Sequence, residues 1–403
     1  MTTRSATVRS IALLGAASLA LAACGGSSSS SSTSTGGSAS ASGSSATVKI
    51  GFMGDLTGAN KQLGINIRDG AKLTIDQYNA TKPATPVTLV EYDSQGDKSQ
   101  AASLAPKAVS DGIVGLVGPA FSGETASTGP IWQEAKIPFI SASATRVNLA
   151  QQGWAMFHRV LADDGFQGPA VADVMAKAMG VKTAAVIDDA SDYGKGLADN
   201  VTAALQKLGV NVAVHESVAA TGTVVPNYSS TITKIKGANV QAVFYGGYYA
   251  QGGPFAKQLK DGGVTATFLS GDGTLSPAFV AGAGAAANGA VLSCACSLIN
   301  NAATGASKTF YSAYKAAFNA EPGTYSPEGY DAATAFIDAI KAGKTDTASI
   351  ETSINAANFE GVSKHIEFES DGNIKGGTIL IYQVVNGVIT GLGASDKAKP
   401  AMG

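Results

Sequence analysis

The chain is poor in the residues that build metal and redox sites. Its 403 residues include only three cysteines and three histidines. The histidines, His158, His215 and His365, lie far apart without ligand-like spacing, so the sequence predicts no metal site. Each is more simply interpreted as a surface residue or a satisfied structural one. We therefore expect no cofactor.

Charge is also scarce and nearly balanced. Charged residues make up 14% of the chain, and the formal net charge is −2. Proteins that bind nucleic acid usually carry a basic surface, so we expect no nucleic-acid partner. Beyond the N-terminal segment the sequence has no run of 18 or more apolar residues, which argues against a membrane-spanning helix there.

Signatures of common enzyme classes are missing as well. The sequence has no GxSxG elbow, no phosphate-binding P-loop, no GxGxxG after a strand and no paired cysteine and histidine. A secreted α/β enzyme is therefore the weaker alternative. The sequence favours a binding protein without catalytic activity.

The N-terminal segment has the layout of a bacterial export signal. Arg4 and Arg9 precede the uncharged stretch 11–23, which is too short to span a bilayer as a helix. The stretch runs into Leu-Ala-Ala-Cys, which resembles the bacterial lipobox. This resemblance implies removal of residues 1–23 and attachment of lipid to Cys24. The alternative is an ordinary signal peptide in which the cysteine is incidental.

The segment from residue 24 to residue 46 is dominated by serine and glycine. It contains no charged side chain and no large apolar one, so it cannot bury enough surface to offset the entropy of ordering. We expect a disordered linker that ties an extracytoplasmic body to the bacterial cell membrane, with the lipid on Cys24 as its only membrane contact. Without residues 1–23 the chain keeps 26 basic and 30 acidic side chains, so the body remains mildly acidic.

Short apolar strands and amphipathic helices alternate along the rest of the chain. The first series begins with VKIGFMGDL at 48–56 and continues through VTLVEYD, IVGLVGP and IPFISAS, with helices expected near 64–80, 98–111 and 122–135. A second series begins at about residue 165 and repeats the alternation. This pattern predicts an α/β fold of two doubly wound lobes with mostly parallel sheets.

Two late strands, HIEFES and GTILIYQVV, could each rejoin a lobe. If the former joins the first lobe and the latter joins the second, the backbone passes three times between the lobes and forms a three-crossing hinge. Residues 47–163 and 297–372 would then form the first lobe. Residues 164–296 and 373–395 would form the second.

Candidate ligand contacts stand where the predicted strands end. In open α/β sheets, ligands bind beyond the carboxyl ends of the strands, where helix starts offer free amides. Ser122, Ser143 and Thr145 could hold a carboxylate there, or could simply cap helices. Asp272 could pair with an ammonium group, or serve only as a turn residue between glycines. Two tyrosines near other strand ends could line the pocket or merely cover the sheet edge: Tyr193 and Tyr248.

Seven motifs in order carry a resemblance to one family. The chain resembles the leucine/isoleucine/valine-binding proteins, the type I periplasmic receptors of branched-chain amino-acid ABC transporters, in GFMGDLTG, EYD, LVGP with a following serine, PFISASAT, DYGKGLA, FYGGYY and FLSGDG. The likeness runs from about Val48 to Val388. It implies two lobes that trap an amino acid, branched-chain or otherwise small and apolar, and deliver it to an ABC permease.

The resemblance also assigns binding residues. It implies a carboxylate-binding serine, a strand end that contacts both ends of the amino acid, two second-lobe tyrosines, and an acid that meets the α-ammonium group. In this chain these positions are, in that order, Ser122, then Ser143, Ala144 and Thr145, then Tyr193 and Tyr248, and finally Asp272. Asp272 stands where those receptors carry glutamate, and its side chain is one methylene shorter.

The family pattern is broken around the ligand side chain. Leu63 stands where those receptors carry an aromatic residue, and Gly96 and Phe121 occupy the positions of their first-lobe disulfide. We expect Leu63, Phe121 and Tyr325 to form the pocket wall. The altered wall leaves open a different small polar solute, such as an amide or a urea-like compound, and a ligand sensor in place of a transport receptor. We expect a monomer.

Cys294 and Cys296 are the two cysteines that lipidation does not use. On a strand, residues two apart point to the same face. A tight bridge between them could form in an oxidising compartment, and the alternative is a pair of buried, reduced thiols.

Overall fold

The structure is a computed structural model that describes residues 47–219 and 225–401. Cys24, the lipobox and the serine-rich tract therefore lie outside the described residues. Two large β-sheets organise the described part of the chain. Within it, no helix is both long enough and apolar enough to cross a membrane.

The first sheet contains five strands that all run parallel. They are β1 (Val48–Gly54), β2 (Val87–Asp93), β3 (Gly115–Val117), β4 (Phe139–Ser141) and β5 (Phe157–Arg159). Their spatial order is β2-β1-β3-β4-β5. Neighbouring residues of β1 are buried on both faces, as expected for a parallel strand covered by helices on either side. The sequence did not predict β5, since three residues are too short for a periodic pattern.

Helices connect these strands as the sequence predicts. They are α1 (Lys61–Ala80), α2 (Lys98–Ser110) and α3 (Ser122–Ala135). The expected bounds of α2 and α3 hold to within one residue, and α1 begins three residues earlier than predicted. The short helical turn expected after β4 is the 3-10 turn Val147–Gln152.

The second series alternates in the same way. Its elements are α4 (Asp164–Asp173), β6 (Thr183–Asp188), α5 (Asp192–Lys207), β7 (Asn211–Ser217), α6 (Ser229–Gly237), β8 (Ala242–Gly246), α7 (Tyr249–Asp261), β9 (Thr267–Ser270), α8 (Pro277–Ala283) and β10 (Val291–Cys294). The five strands of this series pair in parallel. Because parallel strands end at the same edge of a sheet, the helices and the turn that follow β6, β8 and β9 begin side by side.

Three later helices return to the first sheet. They are α9 (Gly305–Phe318), α10 (Ser326–Lys341) and α11 (Thr347–Asn355). The backbones of α1 and α10 touch, because a Cβ atom on Gly70 would lie 2.1 Å from the carbonyl oxygen of Ser326. Similarly, a Cβ atom on Gly329 would lie 2.3 Å from the carbonyl oxygen of Ile67. Only glycine permits so close an approach of two helices.

The two late strand segments behave differently. HIEFES supplies β12 (His365–Glu367), which pairs antiparallel with β11 (Asn358–Glu360) in a separate two-stranded sheet and does not enter the five-stranded one. The edge of β5 is already occupied, since the Arg159 amide donates to the Gly372 carbonyl at 3.0 Å. GTILIYQVV supplies β13 (Leu380–Val385), which pairs antiparallel with β10 and with β14 (Val388–Ala394).

The second sheet is therefore mixed, with the order β14-β13-β10-β9-β8-β6-β7. We call the five-stranded sheet with α1 to α3 and α9 to α11 the first lobe, and the seven-stranded sheet with α4 to α8 the second lobe. The chain passes between them after β5, after β10 and before β13. Cys294 and Cys296 are joined by a disulfide at the second of these passages, with Cα atoms 5.0 Å apart.

Candidate ligand-binding site

Residues from both lobes meet in one closed cleft. The hydroxyl of Tyr325, just before α10, donates to Asp272 Oδ2 of the second lobe at 2.6 Å. The ring of Phe121, just before α3, lies 4.6 Å from the ring of Tyr248, just before α7. All ten residues expected at the site are buried apart from the half-buried Tyr248: Leu63, Phe121, Ser122, Ser143, Ala144, Thr145, Tyr193, Tyr248, Asp272 and Tyr325.

Asp272 follows β9 and is fully buried. Its Oδ1 atom accepts hydrogen bonds from the Tyr193 hydroxyl at 2.6 Å and from Gln167 Nε2 at 3.1 Å. Its Oδ2 atom accepts from the Tyr325 hydroxyl. Burial raises the pKa of Asp272, and these hydrogen bonds partly counter that rise. Because a carboxylate has about four acceptor positions, only about one remains for a ligand.

A second buried acid, Asp164, lies beside Asp272 and was not among the predicted site residues. It is the first residue of α4, and neither of its carboxyl oxygens makes a hydrogen bond of good geometry with a described residue, although the nearby Thr145 hydroxyl favours its charged form. The Thr145 hydroxyl is likewise buried and unpartnered within that part of the chain. Burial, and next the charge of Asp272, raises the pKa of Asp164 well above its ordinary value. An acid buried in this way is costly without a partner, so this corner suits a cationic group of a ligand.

The start of α3 supplies hydrogen-bond donors to the site from the first lobe. Ser122 is the first residue of this helix, and its Oγ atom accepts from the Arg146 amide at 3.2 Å. The hydroxyl keeps its own proton, and the first amides of a helix have no intrahelical partner, so together they can bind a carboxylate. Ser143 makes a contact within the first lobe. Its hydroxyl donates to the Ala120 carbonyl and so fastens the loop after β4 to the loop after β3.

An aromatic row crosses the cleft. Tyr248 lies between Phe121 and Tyr193, with ring centroids 4.6 and 5.0 Å away. Gly96 has φ of +72°, and a Cβ atom there would lie 3.3 Å from the Phe121 ring, so the bare glycine leaves room for that ring. Tyr325 was expected only as a pocket wall, yet its hydroxyl binds Asp272. Its backbone has φ of +70°, a conformation that a bulky residue rarely adopts.

Two further acids hold the loops that carry these residues. Glu124 in α3 accepts from the Ser94 hydroxyl at 2.5 Å and from the Phe121 amide at 2.9 Å, and burial raises its pKa to about 8. Asp189 accepts from the Tyr248 amide at 3.3 Å, and burial raises its pKa to about 6. The turns before α3 and α7 are thereby fixed in the positions that the site requires.

A cavity of about 400 Å³ opens between the lobes beside the aromatic row, and its lining includes Lys98, Phe121, Asp189, Asp192 and Tyr248. Two larger cavities, of about 490 and 540 Å³, lie entirely within the second lobe, at the amino end of β9 and against α6. Neither of these is lined by residues from both lobes. We therefore place the site at the cleft. No group of three metal-binding side chains occurs among residues 47–219 and 225–401.

Comparison with known proteins identifies the architecture. The sequence profile of a family described as periplasmic binding protein matches residues 47–388. The chain belongs to this family. Its members are solute-binding receptors, and membership implies an extracytoplasmic location.

Relatives and solved structures agree with this assignment. A leucine-, isoleucine-, valine-, threonine- and alanine-binding protein of Pseudomonas aeruginosa is 29% identical over 340 residues, which cover 84% of this chain and 90% of the relative. A Leu/Ile/Val-binding protein homologue of Brucella melitensis is 30% identical, covering 86% and 94%. The structure of LivJ from Streptococcus pneumoniae in complex with isoleucine is 28% identical, with a TM-score of 0.78 and coverage of 85% and 97%. The predicted family and the predicted two-lobed α/β fold are both confirmed.

The sequence of this binding protein did not mark Asp164 as a site residue, and the reason is physical. Asp164 follows Asp163, whose side chain caps α4 by accepting from the Gly165 amide at 2.9 Å and also binds Arg159 at 2.8 Å. Acids are common in the first turn of a helix, so the pair Asp-Asp looks ordinary. The available signal was its position, because the pair lies at a predicted crossing between the lobes.

Proposed function

We propose that this binding protein captures an α-amino acid between its two lobes and delivers it to an ABC permease. The observation that carries the proposal is the division of charge-binding groups across one closed cleft. The start of α3, with Ser122, offers donors for a carboxylate. Asp164 and Asp272 offer acceptors for an ammonium group.

The ammonium group has more room at Asp164 than at Asp272. Three protein donors already occupy Asp272, whereas neither oxygen of Asp164 makes a hydrogen bond of good geometry with a described residue. An α-ammonium group has three N–H donors, which Asp164, the Thr145 hydroxyl oxygen and the remaining position on Asp272 can accept. The acid expected from family resemblance thus becomes one of two, and the shorter side chain of Asp272 is matched by a second carboxyl group.

The residues of the pocket wall indicate which class of ligand side chain the site accepts. Phe121, Tyr248 and the fully buried Leu63 present apolar surface, which favours a branched-chain or other small apolar side chain over a charged one. The name of the Brucella melitensis relative specifies leucine, isoleucine and valine, and that of the Pseudomonas aeruginosa relative adds threonine and alanine. The chemistry proposed is binding and release, with no bond made or broken.

Attachment to the membrane is part of the same proposal. Lipid on Cys24 would hold a monomeric body outside the bacterial cell membrane, and the serine-rich segment would let that body reach its permease. Amino-acid receptors that serve a permease must remain close to it, so a tether is a direct way to raise the effective concentration of the pair.

A thermal-shift screen tests the proposed ligand class. The purified protein is heated with each amino acid, with amides and urea-like compounds, and with polyamines. A ligand that binds only the folded state raises its stability by about 2.7 kcal/mol at a hundred times its Kd. We expect leucine, isoleucine or valine to raise the midpoint, and their amides, which lack a carboxylate, to raise it less. A midpoint that responds to amides or polyamines but to no amino acid would overturn the proposal.

A further inference from the structure

Three charged side chains meet across the mouth of the cleft, and two of them, Lys98 and Asp192, also line the cavity between the lobes. Asp192 is the first residue of α5 in the second lobe. Its Oδ2 atom accepts from Lys98 Nζ of α2 at 2.8 Å, and its Oδ1 atom accepts from Arg146 Nη1, after β4, at 2.5 Å. Each oxygen of this one carboxylate is therefore paired with a separate cation from the first lobe.

The local structure does not need Asp192 for these contacts. Helix α5 already has a cap, since the Ser191 hydroxyl accepts from the Gly194 amide at 2.8 Å. The first lobe leaves space for the carboxylate at Gly123, where a Cβ atom would lie 3.0 Å from Asp192 Oδ2. Both features fit a carboxylate that is placed to meet the opposite lobe.

The cluster is also connected to the ligand site through the backbone. Arg146 directly follows Thr145, and its amide donates to the Ser122 hydroxyl that faces the proposed ligand carboxylate. Its carbonyl oxygen accepts from Arg159 Nη1 at 2.9 Å. The guanidinium group of Arg146 thus extends toward Asp192 from a backbone segment that is already held in place.

We propose that Asp192, Lys98 and Arg146 form an ionic latch that holds the lobes closed over a bound ligand. This inference rests on the proposed function and adds a positioning role for residues that are not among the groups proposed to bind the ligand's carboxylate and ammonium. The two ion pairs exist only while the lobes are together, so they add to the stability of the closed state alone. Apparent affinity scales with the population of the state that binds, and the latch raises it without a new ligand contact.

The solvent exposure of the latch side chains sets the size of the effect expected on ligand binding. The side chain of Lys98 is 62% exposed and that of Asp192 is 24% exposed, so solvent and salt screen the pairs. Exposed ion pairs of this kind change an equilibrium by about two- to fivefold each. We expect this change mainly in the rate of ligand dissociation, because opening precedes release.

Matched substitutions on one helix test the latch. Asp192→Asn removes the latch carboxylate, whereas Asp199→Asn removes an equal charge from a pair with Lys195 that lies wholly within α5, at 2.9 Å. With L-isoleucine as the probe, Asp192→Asn should dissociate faster by about two- to tenfold and lose most of the salt dependence of the wild type. Asp199→Asn should match the wild type. Equal dissociation rates and equal salt dependence in the two variants would overturn the latch.

A double-mutant cycle and a zero-length cross-link separate the latch from the choice of ligand. Lys98→Met should weaken binding alone but have much less effect when Asp192→Asn is already present, and simple additivity would contradict the pairing. Carbodiimide should join Lys98 to Asp192 in the wild-type protein, as it joins Lys195 to Asp199. If the first cross-link forms but isoleucine does not bind, the ligand class fails and the latch stands. If only the second forms, the latch fails.

Discussion

Two acids in the same cleft differ in what surrounds them, and this difference gives a prediction at the scale of single residues. Asp164→Asn should weaken amino-acid binding by roughly thirtyfold to several thousandfold, because truncating one partner of a buried charge pair costs about 2 to 5 kcal/mol. The same change should leave the ligand-free protein as stable as before or more stable, since it removes a buried acid that makes no hydrogen bond of good geometry with a described residue. Calorimetric titration and urea unfolding measure the two effects.

Asp272→Asn is the informative comparison for that experiment. An amide nitrogen cannot accept the hydrogen bond that the Tyr325 hydroxyl now donates, so this variant should lose both affinity and stability. Asp331, which is also fully buried but accepts from the Val362 amide at 2.8 Å away from the proposed ligand groups, supplies the control. Asp331→Asn should lower stability and leave affinity unchanged. Unchanged affinity in Asp164→Asn would remove that residue from the site.

The hydrogen-bond partners of the site side chains could not be predicted from the sequence. Motif order predicted the positions of Ser122, Tyr193 and Asp272, since a motif fixes where a residue stands on a strand end. It could not show that the hydroxyl of Ser143 is used within the first lobe, or that Tyr325 reaches an acid of the other lobe. Those facts depend on distances between segments far apart in the chain.

At the scale of elements, Glu124 at the start of α3 gives a prediction about how the stability of the fold depends on pH. Burial raises the pKa of Glu124 from 4.5 to about 8, so the folded state retains a proton that the unfolded chain loses. The stability due to this proton is fully present below about pH 4.5 and is lost as the pH rises toward 8. Over that range the loss is on the order of 3 to 5 kcal/mol.

Glu124→Gln should remove this loss. A glutamine amide is neutral, as the protonated acid is. Its oxygen can accept from the Phe121 amide, and its NH2 group can donate to Ser94 Oγ, which then accepts where it donates to the carboxylate. Its advantage over the wild type in urea unfolding should therefore grow from pH 5 to pH 8. Glu134→Gln, an exposed change on the same helix, should keep the wild-type profile. Parallel profiles for wild type and Glu124→Gln would show that Glu124 is ionised in the folded protein.

The regular elements themselves were largely predictable. The helices α2 and α3 begin where the sequence pattern places them, since apolar spacing and strand-end signals mark both. The partner of β12 was not predictable, because pairing depends on which sheet edge is free. The backbone at Gly372 occupies the edge of β5, and β12 pairs with β11 instead.

At the scale of the whole molecule, the proposed attachment to the membrane depends on one atom, the sulfur of Cys24. The motif before Cys24 is the reason for proposing a lipid on this cysteine as the anchor. Cys24→Ala should prevent lipidation and leave the protein either unprocessed or released, because peptidase recognition and lipid attachment share this residue.

Cys296→Ala serves as the control, since it also removes one thiol but lies in the body of the chain. Immunoblots of membrane and soluble fractions, with metabolic labelling by a fatty acid, give the readout. We expect label and membrane association in the wild type and in Cys296→Ala, and neither mature anchoring nor label in Cys24→Ala. Labelled, membrane-bound Cys24→Ala protein would show that another group anchors the chain.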